Sequence, residues 1–378
     1  MKFSTEVEKL RKIITLASRL CSGNLTLPIL NNVLIELKEN KLFVSSTNLE
    51  IGLSFEMKIE AEKEGKISVP GKVFSDFLSS LPKEEKIQIE EKEGKLHAKC
   101  GSFKAKILGQ DPSEYPVLPE MKEKPLAEID IDLLTSSFSK VSHIVSPSDS
   151  RVEISGILIK FDKKNLKIVG TDSIRLGEKT ISLPEEVKKV SVIVPQRTIN
   201  EVKNIFSAFE GKIGISINPS QVGFELISDN QDQPSVKLIS RLIEGSYPEY
   251  EEIIPKETKT TAVLDKEEFQ KKVKIASLFS SRIQDVKLKF SPSQKEEKTG
   301  KVVISSASAE VGEMSCDIKG KVEGEALEIV FNWRYLLDGL SAIDSSEVFV
   351  GANDPNSPAI LKPIGDETYL YLLMPKTI

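Results

Sequence analysis

Two histidines among 378 residues leave little material for imidazole chemistry. His97 lies in a strand-like segment and His143 on a helical one, neither beside a cysteine or serine arranged as a nucleophile, so neither a His-based metal site nor a catalytic triad finds a candidate. Cys21, Cys100 and Cys316 are odd in number and far apart, the pattern of reduced, partly buried thiols rather than of a disulfide framework or a metal-ligand cluster. No GxGxxG or phosphate-loop lysine motif occurs. Carboxylates are abundant but gather in runs, Glu84-Glu85 and Glu90-Glu91, which suit a charged loop or sheet face. These residues argue against an enzyme, and they imply no cofactor and no metal.

Arg175 stands out among the charged residues. It follows Thr171-Asp172-Ser173-Ile174 in an otherwise apolar strand and turn, where an arginine needs a partner carboxylate or backbone carbonyl. Basic residues also collect on segments with helical apolar spacing: Lys9, Arg11, Lys12 and Arg19; Lys72; Arg197 and Lys203; Lys271, Lys272, Lys274 and Arg334. Taken globally the charge is −5, with 52 basic against 57 acidic residues, which argues against a protein that coats nucleic acid. A ring is still free to segregate its charges.

The elements that position these residues repeat. At 378 residues the chain exceeds the size of one hydrophobic core, and 39% apolar with 29% charged residues fits a soluble fold that needs no staples. Three segments read as strand, polar acid-containing kink and strand: Val44 to Met57, Ile168 to Ile181 and Ile304 to Ile318, with Gly52, Gly177 and Gly312 at equivalent places. Three strands run into helix starts, at Val69, Val194 and Phe331, with Pro70 and Pro195 fitting the first helical turn. An amphipathic helix opens each unit: Val7, Leu10, Ile14 and Ala17 behind a Thr5 and Glu8 capping box, a noisier stretch near Asp132 to Val145, and Phe269, Val273 and Ala276 behind Asp265 and Glu268. Proline-bracketed segments at Glu114-Tyr115-Pro116 with Pro119, and Ser246-Tyr247-Pro248 with Pro255, mark the junctions. The expectation is an α+β chain of three tandem repeats, 1–120, 121–256 and 257–378, each with two helices on one side of an antiparallel sheet. The amino terminus has no signal-peptide pattern and no segment approaches a membrane span, so a cytoplasmic protein without membrane contact is expected.

The residues resemble a known family. The opening Met1-Lys2-Phe3 with its helix, Thr26-Leu27-Pro28-Ile29-Leu30-Asn31-Asn32, Thr171 to Leu176, Tyr247-Pro248-Glu249-Tyr250 with Pro255, Tyr335-Leu336-Leu337-Asp338, and Tyr371-Leu372-Leu373-Met374-Pro375 look like the bacterial sliding clamps, in the family's order over the whole chain. That resemblance implies three clamp (processivity-fold) domains with curved sheets and a ring-shaped head-to-tail homodimer. Such a ring encircles duplex DNA without reading its sequence. It tethers replicative and repair polymerases, and meets its loader and repair proteins, through short clamp-binding peptides. The rival expectation is a peptide-binding repeat scaffold or clamp paralogue that does not encircle DNA.

Carried over position by position, the resemblance implies a partner-peptide pocket of Ile154, Thr171, Ser173, Ile174, Arg175, Leu176, Pro248, Ile253, Leu372 and Met374, with Asn356 and Pro358 at its entrance. Methionine and branched aliphatics suit a site that accepts many partners. It implies a DNA channel with Lys9, Lys12, Arg19, Lys72, Arg197, Lys203, Lys271 and Lys274, and a dimer seam with Phe103, Ser277, Leu278 and Phe279. Phe103 sits in a strand-like alternation from Gly101 to Lys106, for which core packing is the other reading. The chain departs from the family at Ser173, where glycine is usual, and at Ile174, where an aromatic residue or histidine is common. It also departs at Asn24, Ser148 and Val152, loop positions that carry DNA contacts in relatives.

Overall fold

A computed structural model describes residues 1–21, 26–145, 151–292 and 299–376; Asn24 and Ser148 lie outside them. Six α-helices occur among these residues: α1 (Val7–Ser18), α2 (Gly71–Ser79), α3 (Ile131–Ser142), α4 (Gln196–Phe206), α5 (Lys266–Ala276) and α6 (Trp333–Ser341). Each expected repeat therefore has its two helices, and every strand pairing between neighbours is antiparallel. None of these helices is long and apolar enough to cross a membrane.

The helices form where apolar residues recur at helical spacing. α1 buries Val7, Leu10, Ile13, Ile14 and Ala17, and α5 buries Phe269, Val273 and Ala276. Asp265 caps α5 by accepting the Glu268 N–H at 2.7 Å, as expected. The matching box at α1 is not formed. Thr5 is paired inside a strand with Ile87, and Glu6 takes the cap position without a side-chain bond. Pro70 caps α2 and Pro195 ends the strand before α4, so both stand one residue ahead of the helical turn expected for them. In two of the pairs the helices touch through polar side chains, Thr15 with Ser75 at 3.0 Å on α1 and α2, and Gln270 with Ser341 at 3.1 Å on α5 and α6, while Gln196 of α4 donates to the Ser142 carbonyl of α3 at 2.6 Å.

The strands form three sheets. Five strands run Ala61–Lys63, Lys2–Glu6, Lys86–Lys92, Lys95–Cys100 and Phe103–Leu108 in spatial order. Eight run Ala127–Asp130, Lys212–Ile217, Gln221–Ile227, Ser235–Arg241, Ile51–Lys58, Lys41–Thr47, Asn32–Lys38 and Gly65–Pro70. Ten run Gly156–Thr171, Arg175–Pro195, Tyr369–Leu373, Ala359–Pro363, Glu347–Ala352, Thr260–Asp265, Gly312–Gly324, Gly300–Ser308, Asp285–Ser291 and Leu327–Asn332.

Contacts divide the chain into two units that cut across the repeats. Unit 1 is Met1–Thr135 with Arg197–Leu242, and unit 2 is Ser136–Gln196 with Ile243–Ile378. The middle repeat is shared because its last strand, Ser235–Arg241, pairs with Ile51–Lys58 of the first repeat, while its strand Arg175–Pro195 pairs with Tyr369–Leu373, the last of the third. The register also corrects the expected glycine equivalence. Thr47 faces Gly52 and Thr171 faces Leu176 across corresponding turns, so the counterpart of Gly52 is Leu176, one residue before Gly177. The third turn is one residue longer, since Ser306, the counterpart of Ser46, faces Met314 where Ser46 faces Leu53. The helix-entry equivalence holds: Val69, Val194 and Phe331 are all buried at the ends of the strands that lead into α2, α4 and α6.

Candidate functional site

The turn Thr171–Arg175 is held by its own side chains. Thr171 Oγ1 donates to the Arg175 carbonyl at 2.7 Å and accepts the Ser173 N–H at 3.1 Å, while Asp172 Oδ1 accepts the N–H groups of Ile174 and Arg175, each at 3.0 Å. These bonds force Ser173 to a φ of 77°. A side chain there costs about 1–2 kcal/mol, which accounts for glycine being the easier residue at this position. The Ser173 hydroxyl, a group glycine lacks, accepts from Arg151 Nη1 at 2.9 Å. Ile174 is pushed outward, and its carbonyl accepts the Met374 N–H at 2.8 Å, so the C-terminal strand is tied to the turn.

A cleft of about 320 Å3 opens over this turn. Nine of the expected pocket residues line it: Thr171, Ser173, Ile174, Arg175, Leu176, Ile253, Pro358, Leu372 and Met374. Ile154, buried in a short 3-10 turn, Pro248, whose carbonyl accepts the Tyr250 N–H at 2.8 Å, and Asn356, in a turn closed by Asp354, stand outside the lining. Leu176 and Leu372 are buried and belong to a small cluster with Leu158, Val169, Tyr250 and Ile360. The floor is thus core, and Met374 and Ile174 form the adaptable mouth. Beneath it the Tyr250 hydroxyl donates to Glu178; burial, and then that carboxylate, push the phenol well above its ordinary range.

Arg175 has the partners its setting requires. Its guanidinium bonds Asp172 at 2.9 Å, pairs with Asp338 and reaches the His143 carbonyl at 3.5 Å, and it lies 4.3 Å from the centre of the Tyr335 ring. Burial disfavours its charge, but the Tyr371 hydroxyl and the Asp338 and Asp172 carboxylates outweigh burial and hold the proton more firmly than usual. α6 approaches closely because residue 339 is glycine; a Cβ there would sit 2.5 Å from the Tyr371 ring. Asp338 and Tyr335 were visible in sequence only as part of a motif. Their role as the anchor of Arg175 depends on α6 being laid against the turn.

The expected DNA residues are distributed over four helices: Lys9, Lys12 and Arg19 on or ending α1, Lys72 on α2, Arg197 and Lys203 on α4, Lys271 and Lys274 on α5. All but Lys203 are exposed. Several are already engaged, Lys9 with Glu6 at 3.4 Å and Arg19 with Glu201 at 2.7 Å, while Lys12 lies 4.2 Å over the Phe209 ring. Burial lowers the pKa of Lys12, opposed by Glu210 and Glu8, and lowers that of Lys203. Lys72, Arg197, Lys271 and Lys274 carry no ion pair among the described residues. Val152 opens the short 3-10 turn that leads into Ile154.

Phe103 begins an edge strand and is 49% exposed, so it is not core. Ser277–Phe279 form a 3-10 turn after α5 that leaves Leu278 69% exposed. Nearby half-buried apolar side chains that sequence reading missed are Met314 and Cys316, on the stretch of Gly312–Gly324 that, among the described residues, has a neighbour on one side only. Their strand was legible, its open edge was not.

Comparisons with known proteins agree along the whole chain. Residues 1–119 match the N-terminal domain of the DNA polymerase III beta subunit, 128–249 its central domain and 251–377 its C-terminal domain. The beta sliding clamp of Staphylococcus epidermidis is 29% identical over 364 residues, covering 94% of this chain and 93% of that protein. The crystal structure of the DNA polymerase III beta subunit from Pseudomonas aeruginosa superposes with a TM-score of 0.91 at 25% identity over 100% of both chains, and the Bacillus subtilis sliding clamp with 0.90 at 26% over 100% and 99%. With all three domains matched in order and the fold matched from end to end, the chain belongs to the DNA polymerase III beta subunit family, the bacterial sliding clamps.

Proposed function

We propose that two copies of this chain close head to tail into a ring around duplex DNA, and that polymerases are tethered to it by short peptides seated in the unit 2 cleft. The chain is a DNA sliding clamp, a non-enzymatic factor that gives a DNA polymerase processivity, and its partners are DNA, the polymerase and a second copy of itself. Loader and repair proteins are proposed to share the same cleft, in the cytoplasm and without a membrane. The three repeats meet near residues 120 and 256 in this reading.

The observation that carries the ring is a mismatch of strand ends. In the first two repeats the strand after the kink, Ile51–Lys58 or Arg175–Pro195, receives the last strand of the following repeat. In the third, residues 312–319 pair, among the described residues, with Gly300–Ser308 alone. At the other end Phe103–Leu108, the last strand of the first repeat, has one neighbour among the described residues. One molecule thus has a donor strand at one end and an acceptor at the other, which is a heterologous contact that closes into a ring when the rotation allows.

The bridges Ser68 to Gln110 and Ile193 to Ile243 align Phe103 with Val236, and Ser46 and Ser306 align Leu53 with Met314. Since Val236 faces Phe55 and Leu238 faces Leu53, Phe103 of the partner subunit is set against Cys316 and the partner's Ala105 against Met314. Sliding requires weak, numerous phosphate contacts that read no base, which the exposed lysines of α2 and α5 can supply.

The test is topological. Clamp loaded on nicked circular DNA is expected to stay bound and to leave when the circle is cut. Equal retention on circles and on open linear fragments would replace the ring by the peptide-binding scaffold.

A further inference from the structure

Unit 1 contains a second turn built like Thr171–Arg175. Thr47 Oγ1 donates to the Ile51 carbonyl at 2.9 Å and accepts the Leu49 N–H at 3.0 Å, Asn48 Oδ1 accepts the Ile51 N–H at 2.8 Å, and Leu49 takes a φ of 75°. The Arg241 N–H bonds the Glu50 carbonyl at 3.0 Å, as Met374 bonds Ile174, and Ile239 faces Gly52 as Leu372 faces Leu176. A cleft of about 490 Å3 lies over this turn.

Its chemistry differs at three positions. Gly52 lacks the side chain of Leu176, and Leu118 of the following segment fills that place, since a Cβ on Gly52 would lie 3.1 Å from Leu118 Cδ2. The apolar wall is therefore rebuilt rather than lost, and it continues into Leu49 at 48% and Val117 at 96% exposure. Ile174 and Met374 are replaced by Glu50 and Arg241. Arg241 is exposed and has no ion pair among the described residues, although Glu50 stands opposite it on the neighbouring strand.

We propose that this groove is a second peptide site, taking a short apolar segment with one carboxylate that Arg241 clasps. An unpaired guanidinium beside an apolar wall selects for that combination, because a planar fork binds a carboxylate through two parallel bonds while the flanking side chains leave water. Glu50 limits the guest to one acidic group by repelling a second. The inference rests on the reading of the unit 2 cleft as a peptide site only by analogy of construction.

The probes are acetyl-Leu-Glu-Phe-Leu-amide and its Leu-Gln-Phe-Leu counterpart, titrated calorimetrically into the full-length protein carrying Met374→Ala. The acidic peptide is expected to bind this variant about tenfold more tightly than the neutral one. Adding Arg241→Gln should erase that difference, Glu50→Gln should widen it, and Val117→Asp should weaken both peptides. Arg241 and Val117 are exposed, so none of these effects calls for misfolding. No binding to Met374→Ala, or a preference indifferent to Arg241→Gln, overturns the proposal. Concentration-dependent association that Val117→Asp abolishes, without peptide binding, would overturn it in favour of a second copy. Unchanged affinity of a partner peptide in Met374→Ala alone would instead count against the unit 2 cleft, so the two readings fail separately.

Discussion

Met374 and Leu372 line one cleft but do different jobs. Leu372 is 2% exposed and packs in the core cluster, so truncating it opens a cavity at about 2–5 kcal/mol and disturbs the fold together with the site. Met374 is half-buried at the mouth and is the cleaner probe. A seated guest that covers it is expected to gain about 1.5–3 kcal/mol from such a side chain, so Met374→Ala should weaken every partner peptide tenfold or more while dimer mass and thermal stability stay unchanged. Calorimetry with unaltered affinities would assign Met374 to ordinary packing. Arg175 makes the opposite case, a charge whose role is to hold two elements together. Arg175→Lys keeps the charge but loses the fork shared between Asp172 and Asp338, and about 2 kcal/mol, or about 5 °C in Tm, is the expected loss. Asp338→Asn should give a smaller loss because Asp338 is partly exposed. A melting temperature equal to wild type in both would remove the anchor.

At the scale of elements the open edges are the point of leverage. Directly opposed residues on neighbouring antiparallel strands lie about 4.5–5.5 Å apart, within reach of a disulfide. Phe103→Cys is therefore expected to cross-link with the native Cys316 of a second copy on mild oxidation, giving a covalent dimer on a non-reducing gel that Cys316→Ser abolishes. Cross-linking that survives Cys316→Ser, or none at all in a protein still dimeric by sedimentation, would discard the proposed register. The sequence marked Gly101 to Lys106 as a strand by alternation, yet Met314 and Cys316 read there as ordinary strand residues. Only the pairing pattern leaves them with a neighbour on one side.

For the whole molecule the charges matter together. Net charge is −5, so any duplex attraction must come from a local surface, and Lys72, Lys271 and Lys274 are exposed helix lysines without ion pairs among the described residues. Each phosphate contact contributes about 0.9 to the slope of log affinity against log salt. Replacing the three by alanine should flatten the salt dependence of duplex binding by up to that amount per residue and leave the dimer intact. An undiminished slope would assign the DNA surface to other residues.

The chain by itself determined the three repeats and their two helices apiece, because apolar periodicity and turn chemistry are local and survive as pattern; most cleft residues were named only through the resemblance to the sliding clamps. Thr171 and Asp172 announce their turn since each bonds backbone within four residues. Nonlocal facts were not legible. That Asp338 would neutralise Arg175, and that the middle repeat would be divided between two units, follow from strands pairing across more than a hundred residues. A single position carries no record of its distant neighbour; tertiary structure decides it, by matching strand edges and burying charges only where a partner arrives.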